Sequence, residues 1–299
     1  MDAVIPASML EAMYTNFNIL FLQGRGSASP VVGEIATVRT STTEEEGFII
    51  PGQLGRLRKW IGERVVNNLN AQLVKVKAED YEYTVGVERN HILDDKLGIY
   101  EPMIRDMGTQ AGYLWDDLAT DALLAGHTSL SYDGQFFFDT DHPLDPTNPA
   151  SAVQSNLFAG RPLNEDNYAF VRSQGALLRG PDGRSLRARY NKLVVGPQLE
   201  VAARRLVEVA RGDSGADNVL RGSASVTVLP EITGTDWYLL DTTNAIRPLI
   251  VIKRQEPKLV RKDQATDESA FWRKLYHYGV DARGVVGYGP WFLALKATA

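Results

Sequence analysis

Five residues able to do acid–base or metal chemistry crowd into YDGQFFFDTDHPLDP, residues 132–146: Asp133, Asp139, Asp141, His142 and Asp145. Carboxylates and an imidazole at such spacing can hold a hard divalent cation and activate a water bound to it. The same stretch also reads as turn chemistry. Asp133 with Gly134, Asp141 and Pro143 are turn formers, and Phe136, Phe137 and Phe138 anchor the loop to a core. No second histidine or carboxylate motif completes a recognisable site, so the loop is read as structural. A metal-dependent hydrolase built on the Asp133 to Asp145 cluster stands as the alternative.

Other chemistry has less support. His91, His127 and His277 stand alone, outside any metal-binding spacing, and read as packed or surface side chains. No G-x-S-x-G elbow surrounds a serine, and GRGSAS near Gly26 lacks the lysine ending of a phosphate-cradling loop. Asp94 and Asp95 are read as helix-start carboxylates. The absence of cysteine excludes disulfides and thiolate chemistry. No cofactor is called for.

A different kind of signal lies in residues 51–70, where Arg56, Arg58, Lys59 and Arg64 face Glu63 alone, a local charge of +3, beside Trp60 and Ile61. Gly47, Gly52, Gly55, Gly62 and Pro51 break any long regular element here. The segment reads as an extended excursion. Arginines and aromatics dominate protein interfaces, so Arg56, Arg58, Lys59, Trp60, Ile61 and Arg64 are candidate intersubunit contacts.

Around these residues the sequence shows elements of both kinds. Residues 1–40 carry an amphipathic patch, Met9, Met13, Phe17, Leu20 and Phe21, then the small, flexible QGRGSASP; this reads as an arm rather than a core element. YEYTVGVE alternates as a half-buried strand, with QLVKVK pairing nearby. The longest helical pattern runs from Glu101 to Ala125 with the stripe Met103, Met107, Ala111, Leu114, Leu118 and Ala122. Asn164 caps a helix with Tyr168, Val171 and Leu178 on one face; Pro197 opens another that ends at Gly212. KLVV, ASVTVL, WYLL, LIVIKR and KLYHYGV are short strands. Interspersed helices and strands, without regular alternation, predict an α+β fold.

The 299 residues suffice for one large core or two subdomains. The net charge of −5 argues against a sequence-independent nucleic-acid binder, while leaving contact with DNA along one face open. No apolar run is long enough to span a membrane, and MDAVIPASMLEAMY has acids where an export signal carries basic residues. The protein is expected to be made and used in the cytosol.

Five motifs together resemble the major head subunit of Mu-like phages and prophages. They are IATVRTSTTEEEGFIIPGQLGRLRKWIGERV, YTVGVERNHILDDKLGIYEPMIRDMG, YDGQ with FDTDHP, KLVVGPQLEVAARRLV and YHYGVDARGVVGYGPWF. Their order and spacing are similar to the family along most of the chain, and the block around FDTDHP is the most specific. IIPGQLGRLRKW departs from the pattern, standing where family members tend to have a tryptophan and a second proline.

This resemblance implies a Hong Kong 97-like phage capsid fold. It divides the chain into an N-terminal arm (1–40), an extended loop (41–78), a peripheral domain with a long spine helix (79–127 and 246–283) and an axial domain (128–245 and 284–299). It implies self-assembly into pentamers and hexamers that form an icosahedral head around double-stranded DNA, with no active site. The partners it implies are further copies, scaffold, portal, decoration or minor head proteins, and DNA on the inner face, with assembly in the host cytoplasm and no membrane. Some relatives of the fold crosslink subunits from lysine to asparagine. Lys59, Asn67 and Asn68 have the right types but read as ordinary surface residues.

Overall fold

The computed structural model describes residues 5–43, 45–49, 73–94, 97–146, 148, 150–210, 217–264 and 266–299. The chain begins with α1 (Ala7–Ser27), α2 (Val32–Ile35), β1 (Ala36–Thr40), β2 (Glu45–Ile49), β3 (Leu73–Lys77) and β4 (Glu79–Glu88). It continues through α3 (Arg89–Leu93), α4 (Glu101–Ala125), β5 (His142–Pro143), β6 (Val153–Gln154), β7 (Leu157–Phe158), α5 (Glu165–Leu177) and β8 (Lys192–Val195). The last elements are α6 (Glu200–Val207), β9 (Ser225–Val228), β10 (Trp237–Leu240), β11 (Leu249–Lys262), α7 (Glu268–Arg273), β12 (Leu275–Tyr288) and β13 (Ala294–Ala297).

Two sheets organise the molecule. The first has the order β1-β11-β12-β4, with β1 parallel to β11 and the other pairs antiparallel. The second has the order β7-β13-β10-β8-β9, parallel at both edges and antiparallel in the middle. Each covers its own apolar core. One contains Phe17, Phe21, Ile104, Met107 and Tyr278, and the other Tyr168, Leu193, Trp237, Leu239 and Leu295.

Helix α4 belongs to both cores, and its bounds are those expected from the sequence. Ile104 and Met107 of its first half enter the first core, while Trp115, Ala119 and Leu123 enter the second. At 25 residues it is about 38 Å long, so it ties the two sheets together as one rigid rod. The buried face is rotated by about one residue from the expected stripe. Met103 is 48% exposed, and Leu114, Leu118 and Ala122 are only partly buried. The rotation follows from residues that apolar periodicity does not count. Gly108 meets α1, Thr120 is buried with its hydroxyl bonded to the Asp116 carbonyl, and the Asp116 carboxylate caps α2 by accepting the Val31 and Val32 amides at 2.7 and 2.8 Å.

Residues 5–40 correct the reading of an arm outside the core. The expected patch, Met13, Phe17, Leu20 and Phe21, is buried against α4 and the first sheet, and Phe17 meets Tyr278 edge-on at 5.1 Å. The stretch read as flexible stays helical through Ser27. Its glycine is there for proximity: a methyl on Gly24 would collide with the Arg105 carbonyl, and one on Gly108 with the Phe21 carbonyl, so the two backbones touch where side chains are missing. β1 then joins the first sheet beside β11.

Three smaller expectations differ in detail. YEYTVGVE is β4, but only Val85 and Val87 are buried, and Tyr83 on the same face is 61% exposed. Asp94 closes α3, its amide bonded to the Asn90 carbonyl, whereas the first turn of α4 carries Glu101 and Pro102; Asp95 lies outside the described residues. The Pro197 helix begins as a 3₁₀ turn and α6 ends at Val207, short of Gly212, which also lies outside them.

Candidate functional site

The YDGQFFFDTDHP loop is held by a buried polar cluster. Gly134 turns the chain at φ +86°, a left-handed conformation that suits glycine, and Phe137 and Phe138 plug the loop into the second core. Asp133 Oδ2 lies 2.7 Å from His142 Nδ1, and both side chains are fully buried. The other ring nitrogen, Nε2, is 3.2 Å from Asn156 Oδ1. The imidazole stacks flat on Trp291, with centroids 3.9 Å apart and planes 5° from parallel. Burial and the charge of Asp133 hold the neighbouring Tyr132 hydroxyl well above its usual range.

Asn156 is the centre of this arrangement. Its Nδ2 donates to the carbonyls of Phe137, Trp291 and Ala294 at 2.7, 3.2 and 3.1 Å, and its Oδ1 accepts the Asp139 amide at 2.9 Å. The loop is thereby stitched to the chain around β13. Asp139 turns inward on its own backbone, accepting from the Phe136 amide at 3.3 Å and the Thr140 amide at 2.7 Å. Asp141 is exposed, and slight desolvation, then the charge of the adjacent Asp139 and a hydrogen bond with it, raise its carboxyl above the ordinary range. The carboxylates of Asp133 and Asp139 thus serve different partners. Among the described residues no group of three or more acidic or histidine side chains is placed to share a metal ion.

Sequence reasoning found Asp133, Asp139 and His142 but missed Asn156 and Trp291 as their partners. Trp291 lay within a quoted motif. Asn156 had no local signal, because its partners are spread from Phe137 to Ala294. Of the isolated histidines, His91 faces the Tyr100 hydroxyl at 2.7 Å, and exposed His127 bonds the Leu124 carbonyl.

Arg56, Arg58, Lys59, Trp60, Ile61 and Arg64, with Asn67 and Asn68, lie outside the described residues. Their stem does not. β2 and β3 pair antiparallel from Glu45 with Lys77 to Ile49 with Leu73, so the chain leaves for residues 50–72 and returns at the same place. Elsewhere on the surface, a groove of about 480 Å³ runs between α4 and the strands β4 and β12. Met103, Met107, Leu114, Val85 and Val280 make it apolar, and its charged lining residues, Glu82, Asp106 and Asp117, are all acidic.

Comparison with known proteins places this architecture. The family described as the Mu-like prophage major head subunit gpT matches residues 10–162, 157–232 and 228–299. The Mu-like prophage FluMu major head subunit of Haemophilus influenzae is 28% identical over 98% of this chain and 74% of its own length. A chain in the procapsid of bacteriophage JBD30 superposes with a TM-score of 0.62 and 31% identity over 99% of this chain and 76% of that one. The JBD30 capsid decorated with minor capsid protein trimers gives 0.54 and 28%, over 76% of this chain and 99% of that one. The two-sheet α+β architecture tied by α4 is the Hong Kong 97-like capsid fold, and the chain belongs to the family of Mu-like prophage major head subunits.

Proposed function

We propose that this chain builds an icosahedral phage head, forming pentamers and hexamers that close around double-stranded DNA, and that it carries out no catalysis. The observation that supports this most is the continuity of the family match from residue 10 to residue 299, through both sheets and α4. Residues 79–127 and 246–283 act as the peripheral domain, with α4 as its spine, and 128–245 and 284–299 as the axial domain. The two apolar cores favour this division, α4 being shared between them. Residues 1–40 serve as the N-terminal arm, with 5–27 packed as α1 on their own subunit, and 41–78 as the extended loop. Minor capsid proteins decorate the JBD30 capsid; this chain takes decoration, scaffold and portal partners of the same kind during assembly in the host cytoplasm. DNA contacts the inner face without sequence specificity.

Residues 51–70 then cover a neighbour. A net charge of +3 with Trp60 and Ile61 suits the apolar, acid-rimmed groove along α4 of a second copy. Each partly buried charge-assisted pair contributes about 1 to 3 kcal/mol and is repeated around the shell. Expression with the assembly partners followed by negative-stain microscopy should show capsomers or closed shells. Monodisperse monomers with tightly bound metal would instead support a hydrolase. Arg58→Glu combined with Trp60→Ala should leave a soluble subunit with near-normal thermal unfolding that forms no closed shells. Intact heads from that variant, or failure to fold, would remove residues 51–70 from the interface.

A further inference from the structure

We propose that Asp133, His142 and Asn156 form a buried proton site, in which His142 is held as an imidazolium with hydrogen on both ring nitrogens, clasping the loop of residues 129–158 to the chain around β13. Hydrogen-bond polarity carries the argument. Three carbonyl oxygens surround one end of the Asn156 amide, so that end is the nitrogen. The other end is therefore the oxygen, and it already accepts the Asp139 amide. An oxygen facing His142 Nε2 at 3.2 Å requires that nitrogen to bear hydrogen. On the opposite side of the ring, Nδ1 faces a carboxylate oxygen at 2.7 Å, a distance that needs a proton between them. A neutral imidazole has one hydrogen for these two positions.

Two further contacts place that proton on the ring rather than on the acid. Asp133 Oδ1 accepts the Gln135 amide at 3.3 Å, which favours the carboxylate. The flat stacking on Trp291 at 3.9 Å favours a cationic ring. The titratable and charged groups around the pair are Tyr132, Asp139 and Asp141 from the loop itself. Arg179, from the segment after α5, lines a small cleft together with Tyr132 and Trp291. With only one ring hydrogen, one of the two nitrogens would face an acceptor oxygen bare, beside side chains that are fully buried.

Asp133→Asn separates the proton from the shape. Its amide oxygen can still accept from Gln135, and its nitrogen can donate to Nδ1, so a neutral ring suffices. Nitrogen NMR of the full-length subunit labelled on its four histidines tests this. At neutral pH His142 should show two hydrogen-bearing ring nitrogens in the natural sequence and one in Asp133→Asn. His142→Gln assigns the signal. If that variant does not fold, replacing His91, His127 and His277 assigns it by elimination. A bare ring nitrogen on His142 in the natural sequence overturns the proposal.

Discussion

The α1/α4 pair and the FDTDHP loop both bury groups that amino-acid type alone assigns to solvent, and they do so by opposite means. Between the helices, glycine removes side chains so that backbones touch, and the contact gains dispersion and buried area, with polar contacts such as Arg105 to Gln23 at its exposed edge. In the loop the side chains remain, and Asn156 satisfies polar groups from three stretches of chain. The first arrangement is intolerant of added volume. The second is intolerant of a lost partner, because an orphaned buried donor or acceptor costs more than a made hydrogen bond returns.

The difference is exposed most strongly at Asn156. Asn156→Leu keeps comparable volume but strands the Asp139 amide, His142 Nε2 and the Phe137 carbonyl. At about 1 to 3 kcal/mol for each orphaned group, the loss should reach about 4 kcal/mol or more, measured by denaturant unfolding of the unassembled subunit. A loss below about 1 kcal/mol would mean that water replaces the amide and that the cluster is no keystone.

The helix pair can be tested against its own internal control. An exposed helical Gly→Ala change normally stabilises by about 0.5 to 1 kcal/mol. Gly26 has open space around its Cβ position and should follow that rule. Gly108→Ala should reverse the sign and cost about 3 kcal/mol, since the new methyl meets the Phe21 backbone and the helices must separate. Thermal unfolding of the two variants side by side reads this directly. Equal, small shifts would show that the backbones do not touch as described.

These two regions also mark how far the sequence is legible. α4 was readable to its ends because 25 residues of 3.6-residue periodicity, a proline in the first turn and a glycine stop all agree. α5 was readable from its cap, where Asn164 Oδ1 accepts the Asn167 amide at 2.9 Å. Strands β8, β10 and β11 announced themselves as apolar runs. α1 was misjudged because Gly24, Gly26 and Ser27 are breakers in isolation, and only the partner helix turns Gly24 into an advantage. Asp133 and His142 were conspicuous as members of a turn-rich cluster. Their partner Asn156 was not, since side-chain to backbone bonds spanning up to 138 residues leave no local pattern. The basic stretch around Trp60 was conspicuous by composition, and composition does not say which surface receives it.

The smallest effect separates two adjacent carboxylates on α4. Burial raises both Asp116 and Asp117 above the ordinary range. Asp116 is compensated, since its two oxygens accept the Val31 and Val32 amides. Asp117 has no such return in its electrostatics; after burial, the charges of Glu231, Asp116 and Asp121 push it further in the same direction. A carboxyl raised on folding binds its proton more tightly in the native state, so its contribution is present below the unfolded value of about 3.9 and is lost as pH rises through the folded value. Asp117→Asn should therefore match the natural subunit in acid and exceed it at neutral pH, with melting about 1 to 2 °C higher. Asp116→Asn should instead fall at neutral pH, because its amide has one acceptor oxygen for two backbone donors. Melting curves of both variants across pH 4 to 7 decide the matter. A destabilised Asp117→Asn subunit would mean that this carboxylate, too, has a favourable partner in the fold.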